Sequence, residues 1–293
     1  MELRVLHYFL AVAREQSISA AAESLHLSQP ALSTQLKALE TELGKQLLIR
    51  GTKGSRKVLL TDEGMILRKR AEEILSLVHK TEAEIACSDE AIVGEVSIGS
   101  GETDIVRLFA RAAQALRRQH PDIRYRISSG NAEFVLENLD KGLIDFGLLF
   151  GAADQRKYDA LLLPARDNWG VLMRRDAPLA QKDAVRPEDL WDKPLIVSHQ
   201  RGDDNYLSRW LKRELSHLNV VASYNLVFNA SLLVEEGLGY ALCLDKLINT
   251  QGGALCFKPF DPPLEAPAYL VWKKYQVFSK PASAFLQRLR EML

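Results

Sequence analysis

Three short helical patterns within the first 44 residues constrain the fold of this chain more than any other feature. Apolar residues recur at helical spacing through 6–13, and a second, alanine-rich pattern follows. Ser28 can then cap a third helix that has Pro30 in its first turn, where the missing N–H costs no hydrogen bond. Gly44 is expected to end this helix. Its inward-facing residues are predicted to be Leu32, Leu36, Leu39 and Leu43.

The third helix leaves a polar face opposite its leucines. The side chains on this face are short or hydrogen-bonding, with one positive charge: Gln29, Pro30, Ser33, Thr34 and Lys37. A solvated face would usually carry Glu and Lys in pairs, whereas a helix in the major groove needs small residues, amides, hydroxyls and few carboxylates. We therefore predict a helix-turn-helix in which this face, with Ser28, contacts DNA. The alternative is a small helical bundle with a chance polar face.

A basic hairpin is predicted directly after this helix. Its sequence is L-L-I-R-G-T-K-G-S-R-K-V-L-L, with glycines at the tip, and residues 45–57 carry five basic side chains and no acidic one. We interpret it as a wing that lays Arg50, Lys53 and Arg56 along DNA phosphates. The 38 basic and 38 acidic residues of the whole chain cancel, so only this local charge favours nucleic acid.

A long charged helix is predicted next, since Gly and Pro are absent from Met65 to Val93. Mostly apolar residues recur in it at spacings of four and three: Leu67, Ala71, Ile74, Val78, Thr81 and Ile85. A narrow stripe with charge on both sides is typical of a coiled-coil partner, so we expect two chains to pair here as a homodimer. The alternative is a core helix of the next domain.

From Gly94 onward, short β-rich runs alternate with helical patterns, which predicts a parallel sheet flanked by helices. Two α/β halves joined by crossings near Ala165 and Ala266 would enclose a hinged cleft. The predicted fold class is α+β multidomain. Its parts are a winged helix-turn-helix at 1–61, a linker and dimerisation helix at 62–90, and an effector-binding domain at 91–293, with 91–164 plus 267–293 as its first subdomain and 165–266 as its second.

Polar residues at the ends of several predicted strands indicate a small-molecule site. In open α/β sheets, ligands lie at the carboxyl ends of strands, where helix N-termini point. The candidates are Ser100, Gly101, Glu102, Thr103, Ser129, Asn131, Phe150, His199, Arg201 and Asn229. Each alone is explained by helix capping, but their recurrence at equivalent strand ends favours a pocket. Arg201 could hold an anion, whereas Glu102 favours an amine or hydroxyl over a simple carboxylate.

The chain lacks recognisable catalytic motifs. It has no HExxH, no Walker lysine loop and no GxSxG, its six histidines are scattered, and its three cysteines form no CxxC pair. We therefore expect no enzyme activity, no cofactor and no metal, while an α/β enzyme or a small-molecule binding module with an accessory helical domain stays open as an alternative. No apolar run reaches the length of about 18 residues of a membrane span, so we expect a cytoplasmic protein without a membrane partner.

The N-terminal sequence resembles a known family. S-I-S-A-A-A-E-S-L-H-L-S-Q-P-A-L-S-T-Q-L-K-A-L-E-T-E-L-G-K-Q-L-L-I-R, followed by L-T-D-E-G, is similar to the DNA-binding domain of LysR-type transcriptional regulators, and V-E-E-G-L-G-Y-A-L-C matches the V-x-x-G-x-G stretch of their effector domain. Two features depart from the family pattern: Thr34 stands where Arg is common, and the wing is a few residues longer than usual.

The resemblance implies a regulator that binds promoter or operator DNA. It implies a periplasmic-binding-protein-like effector domain that holds a small molecule between two subdomains. It also implies dimers through the linker helix, their association into tetramers, and RNA polymerase as a further partner.

Overall fold

The computed structural model describes residues 1–50, 57–86, 92–151, 153–198 and 203–293. The chain divides into two compact units, Met1–Ala86 and Cys87–Leu293. Across the described ranges, no helix is both long enough and apolar enough to cross a bilayer.

The first unit contains the predicted helix-turn-helix and the two strands of the wing. Its elements are α1 (Leu3–Glu15), α2 (Ile18–Ser24), α3 (Gln29–Leu43), β1 (Leu48–Arg50), β2 (Val58–Leu60) and α4 (Asp62–Ala86). The side chains of Ser17 and Ser28 cap α2 and α3, where each accepts a hydrogen bond from a backbone N–H at 3.3 Å. The strands are antiparallel, with Leu48 opposite Leu60. The tip of the wing, with Lys53 and Arg56, lies outside the described residues.

The core of the first unit is formed by the faces that the helical spacing predicts. Leu32, Leu36 and Leu39 of α3 are buried against Phe9 of α1 and neighbouring residues. The prediction for Leu43 was wrong, because this side chain is 41% exposed. It lies in the last turn of α3, immediately before Gly44 turns the chain away with a φ of 63°.

The stripe on α4 contributes to the core of its own unit. Ala71 is fully buried beside Leu6 of α1, and Leu67 and Ile74 pack against the same cluster. This part of the stripe therefore does not form a free pairing surface, as the coiled-coil interpretation required, because α1 already covers it. The large apolar side chains that α4 exposes are Met65, Ile66, Leu77 and Ile85.

The second unit is a mixed sheet flanked by helices. Its strands are β3 (Gly94–Ser100), β4 (Ile123–Ser129), β5 (Phe146–Phe150), β6 (Tyr158–Arg174), β7 (Leu195–Ser198), β8 (Val220–Tyr224), β9 (Tyr240–Leu244), β10 (Leu255–Pro259) and β11 (Glu265–Lys273). Its α-helices in the described ranges are α5 (Val106–Arg117), α6 (Ala132–Asp140), α7 (Asp203–Leu211), α8 (Val227–Glu235) and α9 (Lys280–Glu291). The strand order is β4-β3-β5-β11-β6-β9-β7-β8, and β10 also pairs with β6.

Two long antiparallel strands, β6 and β11, connect two halves of this unit. Pro267 pairs with Arg166, and after an irregularity Tyr269 pairs with Leu162. Strands β3, β4 and β5 are parallel to one another, as are β7, β8 and β9, whereas β6 and β11 run antiparallel to their neighbours. The sheet is therefore mixed rather than purely parallel, because the chain must cross between the halves in both directions.

Each half has its own hydrophobic core. One core, which we call that of subdomain I, is built from residues between Val96 and Leu163 and between Ala268 and Leu289. The other, that of subdomain II, is built from residues between Trp169 and Ala266. This arrangement places the carboxyl ends of β3 and β5 in subdomain I opposite the start of α8 in subdomain II, and a cavity lies there.

Candidate functional site

The polar face of α3 is open to solvent. Gln29, Pro30, Thr34 and Lys37 are exposed and Ser33 is half-buried, whereas the leucines opposite are buried. Ser28 is exposed too, and its hydroxyl is engaged as the cap of α3. The first unit thus presents a short, almost uncharged helix surface with amide, hydroxyl and methyl groups, which is the chemistry that reads base edges in a major groove.

The hydroxyl of Thr34 is directed back onto its own helix. Its Oγ1 donates a hydrogen bond to the carbonyl oxygen of Pro30 at 2.9 Å. The hydroxyl proton is therefore engaged in this intrahelical hydrogen bond. The side chain can offer a ligand its methyl group and an acceptor oxygen. A methyl group of this kind suits contact with the C5-methyl of thymine.

Glu40 connects α3 to the first strand of the wing, a role that the sequence analysis did not assign. Its Oε1 accepts hydrogen bonds from the backbone N–H groups of Leu47 at 2.9 Å and Leu48 at 3.0 Å. Its Oε2 lies 3.5 Å from Nη2 of Arg50, an atom that is buried. Arg50 was expected to lie along DNA phosphates, but its guanidinium is directed toward Glu40. One signal could have identified Glu40: it is an acidic residue on α3 just before a basic segment.

The cavity of the second unit has a volume of about 130 Å³. Three of the predicted effector residues line it: Gly101 and Glu102 after β3, and Phe150 at the end of β5. The other lining residues were not singled out from sequence: Gly130, Ala132, Leu148, Leu149, Gly151, Trp169, Ser198, Tyr224, Asn225, Val227, Leu244, Leu247, Glu265, Ala266 and Pro267. Tyr224 is the last residue of β8 and Asn225 follows it, so the strand-end rule applied to the other candidates could have found them.

Three predicted effector residues do not line the cavity. Two of them form hydrogen bonds with the local backbone, and the third is exposed to solvent. Ser100 is buried, and its Oγ donates to the carbonyl oxygen of Gly101 at 2.7 Å. Asn131 caps α6, where its Oδ1 accepts from the N–H of Phe134 at 2.9 Å. Ser129 is exposed at the end of β4. His199 and Arg201 lie outside the described residues.

Asn229, another residue predicted to bind the effector, does not line the cavity. Helix α8 begins at Val227, so Asn229 lies within its first turn with an exposed side chain. Asn225, four residues earlier, lines the cavity in place of Asn229.

Thr103 also points away from the cavity, toward the crossing strand β6. Its Oγ1 donates to Oδ2 of Asp167 at 2.5 Å and accepts from the N–H of Ile105 at 3.0 Å. The pKa of Asp167 is raised to about 6, mainly by burial and also by the nearby charges of Asp245 and Asp104, against the opposing effect of the hydrogen bond from Thr103. Asp167 is 1% exposed, and the sequence analysis did not identify it.

Glu102 forms a hydrogen bond across the cavity. Its Oε2 accepts from the N–H of Val227 at 2.5 Å, although the two residues are 125 positions apart. Val227 is the first residue of α8, whose preceding residue, Leu226, supplies no side-chain cap. A carboxylate of subdomain I therefore caps a helix of subdomain II, where the free N–H groups and the helix dipole favour negative charge.

Comparisons with known proteins match both units of the chain. Residues 3–65 match the model of the bacterial regulatory helix-turn-helix protein, lysR family, and residues 89–293 match that of the LysR substrate binding domain. The Hca operon transcriptional activator HcaR of Escherichia coli K12 is 30% identical over 96% of this chain and 94% of its own length. An uncharacterized HTH-type transcriptional regulator of Shigella flexneri, YfeR, is 27% identical over 99% of this chain and 93% of its own.

Solved structures share the fold. The structure of full-length CbnR complexed with its target DNA covers 100% of both chains, with a TM-score of 0.79 and 21% identity. The structure of full-length BenM covers 100% of this chain and 96% of its own, with a TM-score of 0.55 and 26% identity. The predicted fold class, a helix-turn-helix unit followed by an α/β effector unit, is thereby confirmed.

Proposed function

The chain belongs to the LysR family of transcriptional regulators, and on that basis we propose which of its surfaces bind DNA, effector and a second copy. It is a regulator with a helix-turn-helix DNA-binding domain and an effector-binding domain. We assign residues 1–61 to the DNA-binding domain, 62–90 to the linker and dimerisation helix, and 91–293 to the effector domain, and we place the protein in the cytoplasm, where bacterial DNA lies.

The DNA-reading surface is the face of α3 that carries Gln29, Ser33, Thr34 and Lys37. The observation that carries this assignment is that Gln29, Thr34 and Lys37 are exposed and Ser33 is half-buried, opposite the buried side chains of the leucines at 32, 36 and 39. Lys37 supplies a phosphate contact, Gln29 can pair with an adenine edge, and Ser33 donates to either kind of base pair. Arg50 positions the wing through Glu40, and Lys53 and Arg56 add phosphate contacts.

The experiment is selection of preferred sites by the full chain from a pool of random duplexes, followed by titration of the best site. Gln29→Ala should lose the preference at one base position, which corresponds to a discrimination of about 1–3 kcal/mol. The matched control is Gln35→Ala, which removes the same group from an exposed position on another side of α3. An unchanged consensus with Gln29→Ala, or equal effects of both variants, would contradict the assignment.

The protein pairs through α4, and this brings two α3 helices to half-sites about 10 base pairs apart. The surface available for pairing is the exposed side of α4 with Ile66 and Leu77, which lie eleven residues, or about three helical turns, apart. We further propose that the dimers associate into tetramers and that the protein contacts RNA polymerase. Membership of the family supports both proposals.

The effector binds in the cavity between the two subdomains. The supporting observation is its position beside the β6 and β11 strands that join them, so that a ligand there contacts both halves. A ligand that binds one relative arrangement of the halves more tightly shifts the population toward it. Trp169→Ala, which removes an aromatic wall, should weaken the effector response while α3 still binds DNA.

A further inference from the structure

The described wall of the cavity between the subdomains carries negative charge. Two charged side chains line it among the residues that the structure describes, and both are carboxylates, Glu102 and Glu265. Glu265 is neutralised by an ion pair with Arg166. Glu102 has no basic partner among the described residues, and its Oε2 accepts the hydrogen bond from the N–H of Val227 at 2.5 Å. The cavity wall thus holds one carboxylate whose charge no side chain of the described chain balances.

This carboxylate occupies the position that an anionic ligand would need. The N-terminus of a helix is a ready anion site, and the first turn of α8 points its N–H groups at this part of the cavity. Here Glu102 of the protein already accepts from the N–H of Val227. An anionic ligand would have to displace this carboxylate or bind beside it against charge repulsion, and both are unfavourable in a partly enclosed site.

Most of the remaining wall is aromatic and aliphatic, with Ser198 and Asn225 as its polar side chains. Phe150, Trp169 and Tyr224 contribute rings, and Leu148, Val227 and Leu244 contribute aliphatic surface. The faces of aromatic rings carry negative electrostatic potential and attract cations, Trp most strongly. The volume of about 130 Å³ is close to that of an apolar protein cavity of ~150 Å³ known to hold benzene. A ligand therefore needs a compact apolar body and a positive group.

We propose that the effector is a small primary amine with an apolar body about the size of a benzene ring. Its ammonium group pairs with Glu102, and its body fills the space between Phe150 and Trp169. Because Glu102 also binds the N–H of Val227, the ammonium group would reinforce a contact between the two subdomains. This inference rests on the proposed function, namely that the cavity is the effector site.

Three probes of nearly equal shape and different charge test the proposal at neutral pH: benzylammonium, benzyl alcohol and benzoate. Each is titrated calorimetrically into the full chain. We expect benzylammonium to bind about tenfold more tightly than benzyl alcohol, because an ion pair to a partly desolvated carboxylate replaces a neutral hydrogen bond, and benzoate to bind most weakly.

Two variants separate charge from shape. Glu102→Gln retains an amide oxygen that can accept from the N–H of Val227 but removes the charge, so the preference for benzylammonium over benzyl alcohol should disappear. Asp159→Asn, the matched control, removes a half-buried carboxylate of β6 that does not line the cavity. It should keep the preference of the unmodified protein.

Tighter binding of benzoate than of benzylammonium, or a preference that survives Glu102→Gln, would overturn the inference. So would the absence of binding heat with all three probes. None of these results would alter the DNA sites selected by the full chain. If the proposed regulator function itself failed, the chain would select no consensus from random duplexes, whichever probe it bound.

Discussion

Asp167 is a buried carboxyl group beside the point where β6 passes between the subdomains. Burial raises its pKa from 3.8 to about 6, although Thr103 donates a hydrogen bond to it. The folded protein therefore holds the proton more tightly than the unfolded chain, in which the pKa is ordinary. The stability that Asp167 contributes is fully present below pH 3.8 and is lost as the pH rises to about 6.

Asp167→Asn should abolish the loss of folding stability between pH 3.8 and about 6. The amide oxygen still accepts a hydrogen bond from Thr103, and the side chain carries no charge at any pH. At pH 7 the variant should be more stable than the unmodified protein by up to about 3 kcal/mol, and the two should converge in acid. Denaturant unfolding followed by tryptophan fluorescence is a selective measurement, because all four tryptophans lie in the second unit.

The control for this substitution is Asp159→Asn, a half-buried carboxyl on the same strand. It should retain the pH dependence of the unmodified protein. If Asp167→Asn showed the same pH dependence of unfolding free energy as the unmodified protein, ionisation of Asp167 would not contribute to that dependence.

At the scale of the element, Glu40 determines how β1 of the wing is held against α3. The backbone N–H groups of Leu47 and Leu48 donate hydrogen bonds to its carboxylate, and both residues are buried. Glu40→Ala leaves two buried donors without an acceptor, which costs about 1–3 kcal/mol for each group. Hydrogen exchange of these two amides should therefore accelerate at least tenfold, while exchange of the buried turns of α1 changes little.

Glu42→Ala serves as the matched control, because Glu42 lies on the same helix but its ion pair with the N-terminal amine is on the surface. Slow exchange of the Leu47 and Leu48 amides in Glu40→Ala would show that the wing is held by its apolar contacts alone.

The elements that sequence predicts well are those whose pattern is local. The caps of α2 and α3 and the buried leucines of α3 follow from Ser17, Ser28 and helical spacing, and Glu102 was found from its position after a strand. The start of α8 is not predictable from local sequence, for a physical reason. No side chain near Leu226 caps this helix, and the cap comes from Glu102, 125 residues away. Contacts of this kind arise only after the two subdomains have come together.

At the scale of the whole molecule, the proposed pairing through α4 should determine how strongly the regulator holds DNA. The structure separates two classes of apolar residue on this helix. Ile74 packs on the cluster that contains Leu6 and Ala71, whereas Ile66 is 65% exposed and Leu77 is 37% exposed. Substituting the first class by Asp would damage the fold of the first unit, and substituting the second class leaves the core intact.

Ile66→Asp with Leu77→Asp should therefore halve the mass measured by sedimentation while the thermal unfolding of the chain changes little, because charged groups cannot be buried unpaired in a chain–chain contact. The monomer neutralises one set of phosphates instead of two, so the slope of log affinity for DNA against log salt should fall by about half. Ile74→Asp, the comparison variant, should lower the unfolding temperature instead. A double variant that keeps the dimer mass and the full salt slope would place the pairing surface elsewhere on the chain.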